Sequence, residues 1–333
     1  MIIKSCKLVN FRSHETFLLN CVKMTTMITG ENGGGKTSIL EAIYIAVCGK
    51  SFRAVDKEII KRGEEFYRIE LTYENGEQTV VTYNDGKKKF VLADKKFGRL
   101  PKKYKYPVVL FLPDDLSLVA ASPTRKRDYF DRTFTQLNEN YNNSLLKYNK
   151  ALKQRNELLK TEFLRADMLF SWNVLLAKYG MEVMEYRKRM VSEINERLTD
   201  VYRSIADNGD VVELIYRTDA VENESGYLKK LEENYEKDRI LGHASFGVHR
   251  DDYNFRFNNA DAEGSASRGE VRSIVLALKF TEAELATEKL GKRPLVLLDD
   301  VFSELDETRQ KSLVKNFKEN QVIITSVNGV EDV

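Results

Sequence analysis

The sequence predicts an α/β protein whose chain is interrupted by a helical lobe, and three observations carry that prediction. Apolar, strand-like runs stand near both ends of the 333-residue chain, among them Ile2 to Val9, Met24 to Thr29 and PLVLLDD from Pro294. A glycine cluster, GENGGGKT from Gly30 to Thr37, joins one of these strands to the apolar segment SILEAIYIAV from Ser38. No proline occurs between Pro123 and Pro294, and Gly180 is the only glycine from Thr124 to Asp207, so long helices can run there unbroken.

Composition bounds the function. At ~150 residues per domain the length argues for about two domains, and 42% hydrophobic with 31% charged residues excludes a disordered chain. Lys and Arg total 53 against 51 Asp and Glu, a net of +2, so no global field advertises a polyanionic partner and any nucleic-acid site must come from local clustering. Cys6, Cys21 and Cys48 have no metal-ligand spacing and read as buried thiols of a reducing compartment. Lys4 and Lys7 break the first apolar stretch, and nowhere do ~18 apolar residues run together, so a cytoplasmic protein with no membrane segment is expected.

The elements follow in order. After the Ser38 helix, YRIELTY and QTVVTY alternate and are punctuated by Asn75-Gly76 and Asp85-Gly86, which predicts an antiparallel meander over 64–92. Pro107 to Leu112 reads as a buried strand. Helices then fill Thr124 to Asp207, and strand signals return in VVELIYR, DYNFRFN, PLVLLDD and QVIIT, with a helix from Arg268 to about Leu285. The expected organisation is a head built from 1–112 and 255–333, with 113–254 as a mainly helical lobe.

Gly30-Glu31-Asn32-Gly33-Gly34-Gly35-Lys36-Thr37 satisfies GxxxxGK[ST], with a strand before it and a helix after it. Glycines let backbone amides close around phosphate oxygens, and the helix N-terminus adds partial positive charge. Lys36 can reach the β- and γ-phosphates, and the Thr37 hydroxyl can bind Mg²⁺. Downstream, the strand from Leu295 ends in Asp299 and Asp300, where a nucleotide-hydrolysing P-loop fold needs a metal ligand and a residue to orient water. Between them, Ser267-Arg268-Gly269-Glu270 opens a helix as a capping box, and Ser267 with Gly269 can form a second phosphate site. Its position just before the Asp299 strand is the order of ABC-type ATPases. The predicted fold is therefore an ABC-type P-loop ATPase head with an inserted helical lobe.

The chain resembles the RecF family of SMC-like ABC ATPases of bacterial recombinational repair. The matching stretches are NFRSHE, GENGGGKTSILEAIY with GKSFR, VVLFLPDDLSLVAASPTRKRDYFD, LKQRNELLK, GVHRDD, SRGEVRSIVLALK and PLVLLDDVFSELD, in order from residue 10 to residue 306. The resemblance implies ATP and Mg²⁺ as cofactors, with Gly30 to Ser38 cradling the nucleotide and Arg12 approaching its phosphates. It implies Asp299 as the Mg²⁺ ligand beside Thr37, and Asp300 with Lys36 as the catalytic pair. Ser303 to Asp306 would be a D-loop crossing a dimer interface. Two subunits would sandwich ATP between the P-loop of one and Ser267 to Glu270 of the other. The closed homodimer would bind DNA at gaps or single-strand/double-strand junctions and act with recombination mediator proteins.

Three departures from the general ABC pattern stand out. No glutamine occurs between Gln78 and Gln136, and Pro113-Asp114-Asp115 follows the Leu112 strand instead. Asp300 replaces the usual glutamate and is shorter by one methylene, so slow hydrolysis is expected. Thr325 and Ser326 stand where a histidine is usual. A transport-coupled ATPase would need both missing elements, and a chromosome-organising SMC relative would need a far longer heptad arm.

Two further segments draw attention. GVHRDD, Gly247 to Asp252, packs two cations and two carboxylates and reads as an ion-pair loop, with too few ligands nearby for a metal. Lys87 to Lys105 holds nine cations against Asp94, a net of +8 in 19 residues. Lys87, Lys88, Lys89, Lys102, Lys103 and Lys105 are candidate DNA contacts, with a lysine-protected sheet edge as the equal alternative.

Overall fold

Strand periodicity starts at the N-terminus: in Ile3–Phe11 (β1), Cys6 and Leu8 turn inward while Lys7 turns out. The computed structural model describes residues 2–21, 23–161, 166–219 and 221–327, so residues 328–333 of the expected head lie outside the described residues. His14–Asn20 (β2) pairs with β1 as an antiparallel edge strand. It was not expected, because most of its side chains remain in solvent and leave no clean alternation. Thr25–Thr29 (β3) runs into the glycine loop, and Lys36–Cys48 (α1) follows. The meander is Phe66–Tyr73 (β4), Gln78–Asn84 (β5), Lys87–Leu92 (β6) and Lys95–Phe97 (β7), followed by Val108–Phe111 (β8).

The middle of the chain forms Pro123–Leu137 (α2), Glu139–Leu159 (α3), Ala166–Ala206 (α4), Val212–Arg217 (β9), Glu224–Glu233 (α5) and Tyr235–Leu241 (α6). Asp252–Phe257 (β10), Ala260–Asp261 (β11), Ala262–Ser265 (α7) and Arg268–Leu290 (α8) come next, then Leu295–Asp299 (β12), Glu307–Phe317 (α9) and Val322–Ser326 (β13).

Two compact units result, one of 1–116 with 282–333 and one of 117–281. In the first, an antiparallel sheet in the order β2-β1-β4-β5-β6-β7 accompanies a parallel sheet in the order β3-β13-β12-β8. Tyr67, Ile69, Leu71 and Tyr73 alternate inward along β4. The Asp85-Gly86 turn joins β5 to β6 with φ of 48° and 70°, both left-handed, as a type I′ hairpin requires. Three of the parallel strands, β8, β12 and β13, are buried on both faces, which is why LVLLD and VIITS read as continuous apolar runs. Leu297 pairs with Leu110 on one side and Ile323 on the other. Helix α1 packs against β1 and β4 of one sheet and β12 and β13 of the other, so it is buried on nearly every face.

In the second unit, the Ser122 hydroxyl caps α2 by accepting from the Arg125 amide, with Pro123 at the first helical position. A three-stranded sheet, β11-β10-β9, lies with these helices. Asn195 of α4 pairs with the Leu214 backbone in both directions at 2.8 Å, and the Phe130 ring of α2 sits 4.2 Å from that of Tyr253. These contacts make β10 and β11 part of the second unit, so the unit ends at 281 where the sequence suggested a return to the head at 255. Strand β10 resembles a head strand in composition, but its partner is β9.

GVHRDD does form an ion pair, through Asp251 and with a partner from elsewhere in the chain. Asp251 takes Arg187 of α4 at 3.1 Å, and Arg187 also pairs with Asp131 at 2.9 Å. Asp251 further accepts from Tyr216 and Thr218. Gly247 (φ 131°) has no room for a side chain, since a Cβ there would lie 2.4 Å from the Tyr148 hydroxyl.

Candidate functional site

The site begins where β3 gives way to α1. Residues Glu31 to Gly34 are exposed, and Gly35 caps α1 with a left-handed φ of 85°. The first-turn amides of a helix have few intrahelical acceptors; here the Ser38 amide donates to Gly35 O at 3.0 Å and the Gly34 amide to Glu31 O at 3.1 Å, so the loop is closed on itself. A Cβ on Gly35 would lie 2.5 Å from His14 Nε2, whereas one at Gly30 or Gly33 would meet nothing within 4 Å. The loop is therefore closed on its β2 side and open on the other.

Lys36 is buried, and its ammonium donates to the loop's own carbonyls, Gly30 O at 2.8 Å and Glu31 O at 3.1 Å. It stands 3.9 Å from Asp300 Oδ2. The Thr37 hydroxyl donates to Asp299 Oδ1 at 2.8 Å, bringing the two expected Mg²⁺ ligands together. Thr37 spends its proton on Asp299 and keeps its lone pairs for a cation. Thr325 Oγ1, next in the parallel sheet, donates to the same Asp299 oxygen at 2.9 Å and accepts from the Asp300 amide at 3.0 Å. Burial pushes the Asp299 carboxyl up, the Thr37 and Thr325 hydrogen bonds pull against it, and nearby Asp300 adds to the rise. Asp300 turns out of the strand with φ of 49°, and its Oδ1 is buried without a hydrogen-bond partner among the described residues.

These residues fit a magnesium nucleotide. An orphaned carboxylate oxygen, a hydroxyl oriented by a second carboxylate, and a buried ammonium hydrogen-bonded to loop carbonyls all gain from a cation and phosphate oxygens. ATP would lie on Gly30 to Ser38, and Mg²⁺ would be held by Thr37 and Asp299.

The other expected residues are placed as follows. Arg12 (φ 55°) directs its guanidinium to Glu41 rather than to the loop, with Nε and Nη2 at 3.0 and 2.9 Å from the two carboxylate oxygens. Ser267 and Glu270 form the capping box on α8: the Ser267 amide donates to Glu270 Oε2 at 2.6 Å, and the Glu270 amide donates to Ser267 Oγ at 3.3 Å. Ser267 and Arg268 are exposed and Gly269 is half-buried, all in the second unit. Asp306 caps α9 and pairs with Arg309. Asp115 is buried, with Oδ2 accepting from the Leu112 amide at 3.1 Å.

The lysine candidates divide. Lys88 lies on the inward face of β6, with only 13% of its side chain exposed, and pairs with Asp56 at 2.5 Å, so it is no free phosphate contact. Lys87, Lys89, Lys103 and Lys105 are exposed, as is Lys102. Phe90 is buried, and Phe97, Tyr104 and Tyr106 pack against the core, so the interleaved aromatics are core residues. His14 was missed as a site residue: its Nε2 contacts Gly35 O at 3.1 Å, a position signalled only by its place in NFRSHE.

The sequence matches the family described as RecF/RecN/SMC N terminal domain over residues 2–330. It is 33% identical to DNA replication and repair protein RecF of Clostridium perfringens, covering 100% of this chain and 94% of the relative. It is 34% identical to that of Clostridium acetobutylicum, with the same coverage. The chain belongs to the RecF family. A solved structure of the recombination mediator protein RecF with ATP in the RecFOR pathway superposes with a TM-score of 0.87 at 28% identity, covering 100% of this chain and 93% of that one. The Smc head domain of Pyrococcus furiosus, solved with the C-terminal domain of ScpA, matches at 0.52 and 17% identity over 98% of this chain and 90% of that one, a likeness of fold alone. The ABC-type head fold expected from motif order is thus the observed one.

Proposed function

We propose that this chain is an ATP-gated DNA-binding protein of replication and recombinational repair. The observation that carries it is the convergence of Lys36, Thr37, Asp299 and Asp300 at the exit of β3 and β12, together with RecF relatives along the whole chain. Bound MgATP supplies the phosphoanhydride whose cleavage resets the protein. Lys36 would exchange the Gly30 and Glu31 carbonyls for phosphate oxygens, and Thr37 and Asp299 would hold the cation. Asp300, fixed through its amide by Thr325, orients water; its short side chain makes turnover slow.

Ser267 and Arg268 stand exposed at the α8 cap, which supports a homodimer in which each copy closes the other's nucleotide site. Gapped or junction DNA, recombination mediators as partners and a cytoplasmic location belong to the same reading. Among the described residues no helix is long and apolar enough to cross a membrane. The test is retention of the purified chain on gapped duplex DNA with MgATP, with a slowly hydrolysed analogue and with MgADP. Retention should be strong with the first two and weak with MgADP; equal retention in all three would rule out ATP gating.

A further inference from the structure

Glu41 lies on α1 one turn beyond Thr37, and its side chain is fully buried. Arg12 bonds both its oxygens, the Ser51 hydroxyl donates to Oε1 at 2.6 Å, and Arg53 brings Nε to 3.0 Å and Nη2 to 2.9 Å of Oε2. Ser51 Oγ in turn accepts from the amides of Arg53 and Ala54 at 3.0 and 3.1 Å, so the loop after α1 winds around this one carboxylate. Burial alone would raise the Glu41 carboxyl, but the bonds from Arg12, Arg53 and Ser51 more than reverse it and keep it ionised.

Two guanidiniums share one carboxylate, and one positive charge is left over. The two arginines hold it differently. Arg12 is anchored on three oxygens, the third being Glu58 O at 3.0 Å from Nη1, and its side chain is 23% exposed. Arg53 is 37% exposed, and its Nη2 also reaches the hydroxyl of Ser38, the residue after Thr37, at 3.3 Å.

We propose that Glu41 is a positioning residue for the nucleotide site: it gathers Arg12 and Arg53 and holds the surplus charge of Arg53 beside Ser38, next to Thr37 of the phosphate loop, where a polyphosphate is the missing counter-charge. This rests on the P-loop reading above. A buried carboxylate suits the task because it fixes a guanidinium without presenting an exposed anion that would repel phosphate.

The experiment measures MgATP dissociation constants and melting temperatures for the full chain and for Arg53→Gln, Glu41→Asp, Glu41→Gln and the double variant Glu41→Gln/Arg53→Gln. Arg53→Gln should weaken MgATP binding roughly tenfold, the effect of one charge-assisted contact, with the melting temperature unchanged because the Arg12–Glu41 pair remains. Glu41→Asp should retain most of the affinity and Glu41→Gln should lose it. The double variant should bind no worse than the weaker single one, since both changes act through the same guanidinium. Should Glu41→Gln fail to fold, Arg53→Gln and Ser51→Ala carry the test, the second expected to weaken binding by loosening the Arg53 loop. Unchanged affinity in Arg53→Gln, or additive losses in the double variant, would overturn the proposal alone. A wild-type chain that does not bind MgATP would overturn the P-loop reading as well, and the two failures are thereby distinct.

Discussion

The Thr37 hydroxyl donates a 2.8 Å hydrogen bond to Asp299 Oδ1 across 262 residues of sequence. Thr37 is the second residue of α1 and Asp299 ends β12, so this bond joins the phosphate loop to the acidic strand end. Lys36 and Asp300, each adjacent to one of the pair, are 3.9 Å apart at their charged ends.

Lys36→Ala and Asp300→Asn should separate binding from turnover. Removing the ammonium takes away the side-chain cation aimed at the phosphates, and MgATP affinity should fall by ~10- to 100-fold. Asp300→Asn keeps size while weakening the group that orients water, so affinity should hold and turnover should drop roughly a hundredfold or more. Calorimetric titration and a phosphate-release assay on both variants check the contrast, and a loss of binding in Asp300→Asn would reassign that residue to the nucleotide or its metal.

Ser267→Arg addresses the dimer. The change removes the α8 cap, at a stability cost of about 1 kcal/mol, and places a bulky cation where a partner's γ-phosphate would dock. The monomer should still bind ATP but should not dimerise with a slowly hydrolysed analogue on size exclusion. Normal dimerisation would leave Ser267 as a capping residue only.

Lys87 and Lys89 stand on the exposed face of β6, whereas Lys88 is tied to Asp56. If the exposed pair touches phosphates, Lys87→Gln/Lys89→Gln should weaken DNA binding about equally for all sequences. The slope of log K against log salt should become shallower by ~1.8, about 0.9 per lost contact. Unchanged slope and affinity would assign these lysines to sheet-edge protection.

His249 predicts a pH dependence of stability. Burial lowers its pKa from 6.5 to about 4, the hydrogen bond to Ala244 O works against that, and the charges of Arg250 and Arg127 add to it. Nε2 contacts Ala244 O at 3.1 Å and Nδ1 contacts the Tyr148 hydroxyl at 2.7 Å, an environment that suits the neutral ring. As pH falls, the unfolded chain takes up this proton first, so stability is full above pH 6.5 and declines toward pH 4 by up to about 3 kcal/mol. Urea midpoints across that range should fall less steeply in His249→Asn, and parallel slopes would count against the assignment.

What the sequence by itself determined is local or periodic. The glycine spacing before Lys36 needs only adjacent residues, the Asp85-Gly86 turn needs two positive φ values in succession, and the buried strands announce themselves by unbroken apolar runs. The capping box of Ser267 and Glu270 spans one helical turn, so it too was readable. Tertiary structure alone decided the partners of buried charges: that Arg12 and Arg53 meet on Glu41, that Asp251 is satisfied by Arg187, and that Lys88 is tied to Asp56 while Lys87 and Lys89 stay in water. It also decided that β10 pairs with β9, which moved the unit boundary to 281. A buried charge must find a counter-charge wherever the fold brings one within reach, and a strand takes whichever edge is presented to it. Neither requirement leaves a mark in the neighbouring residues.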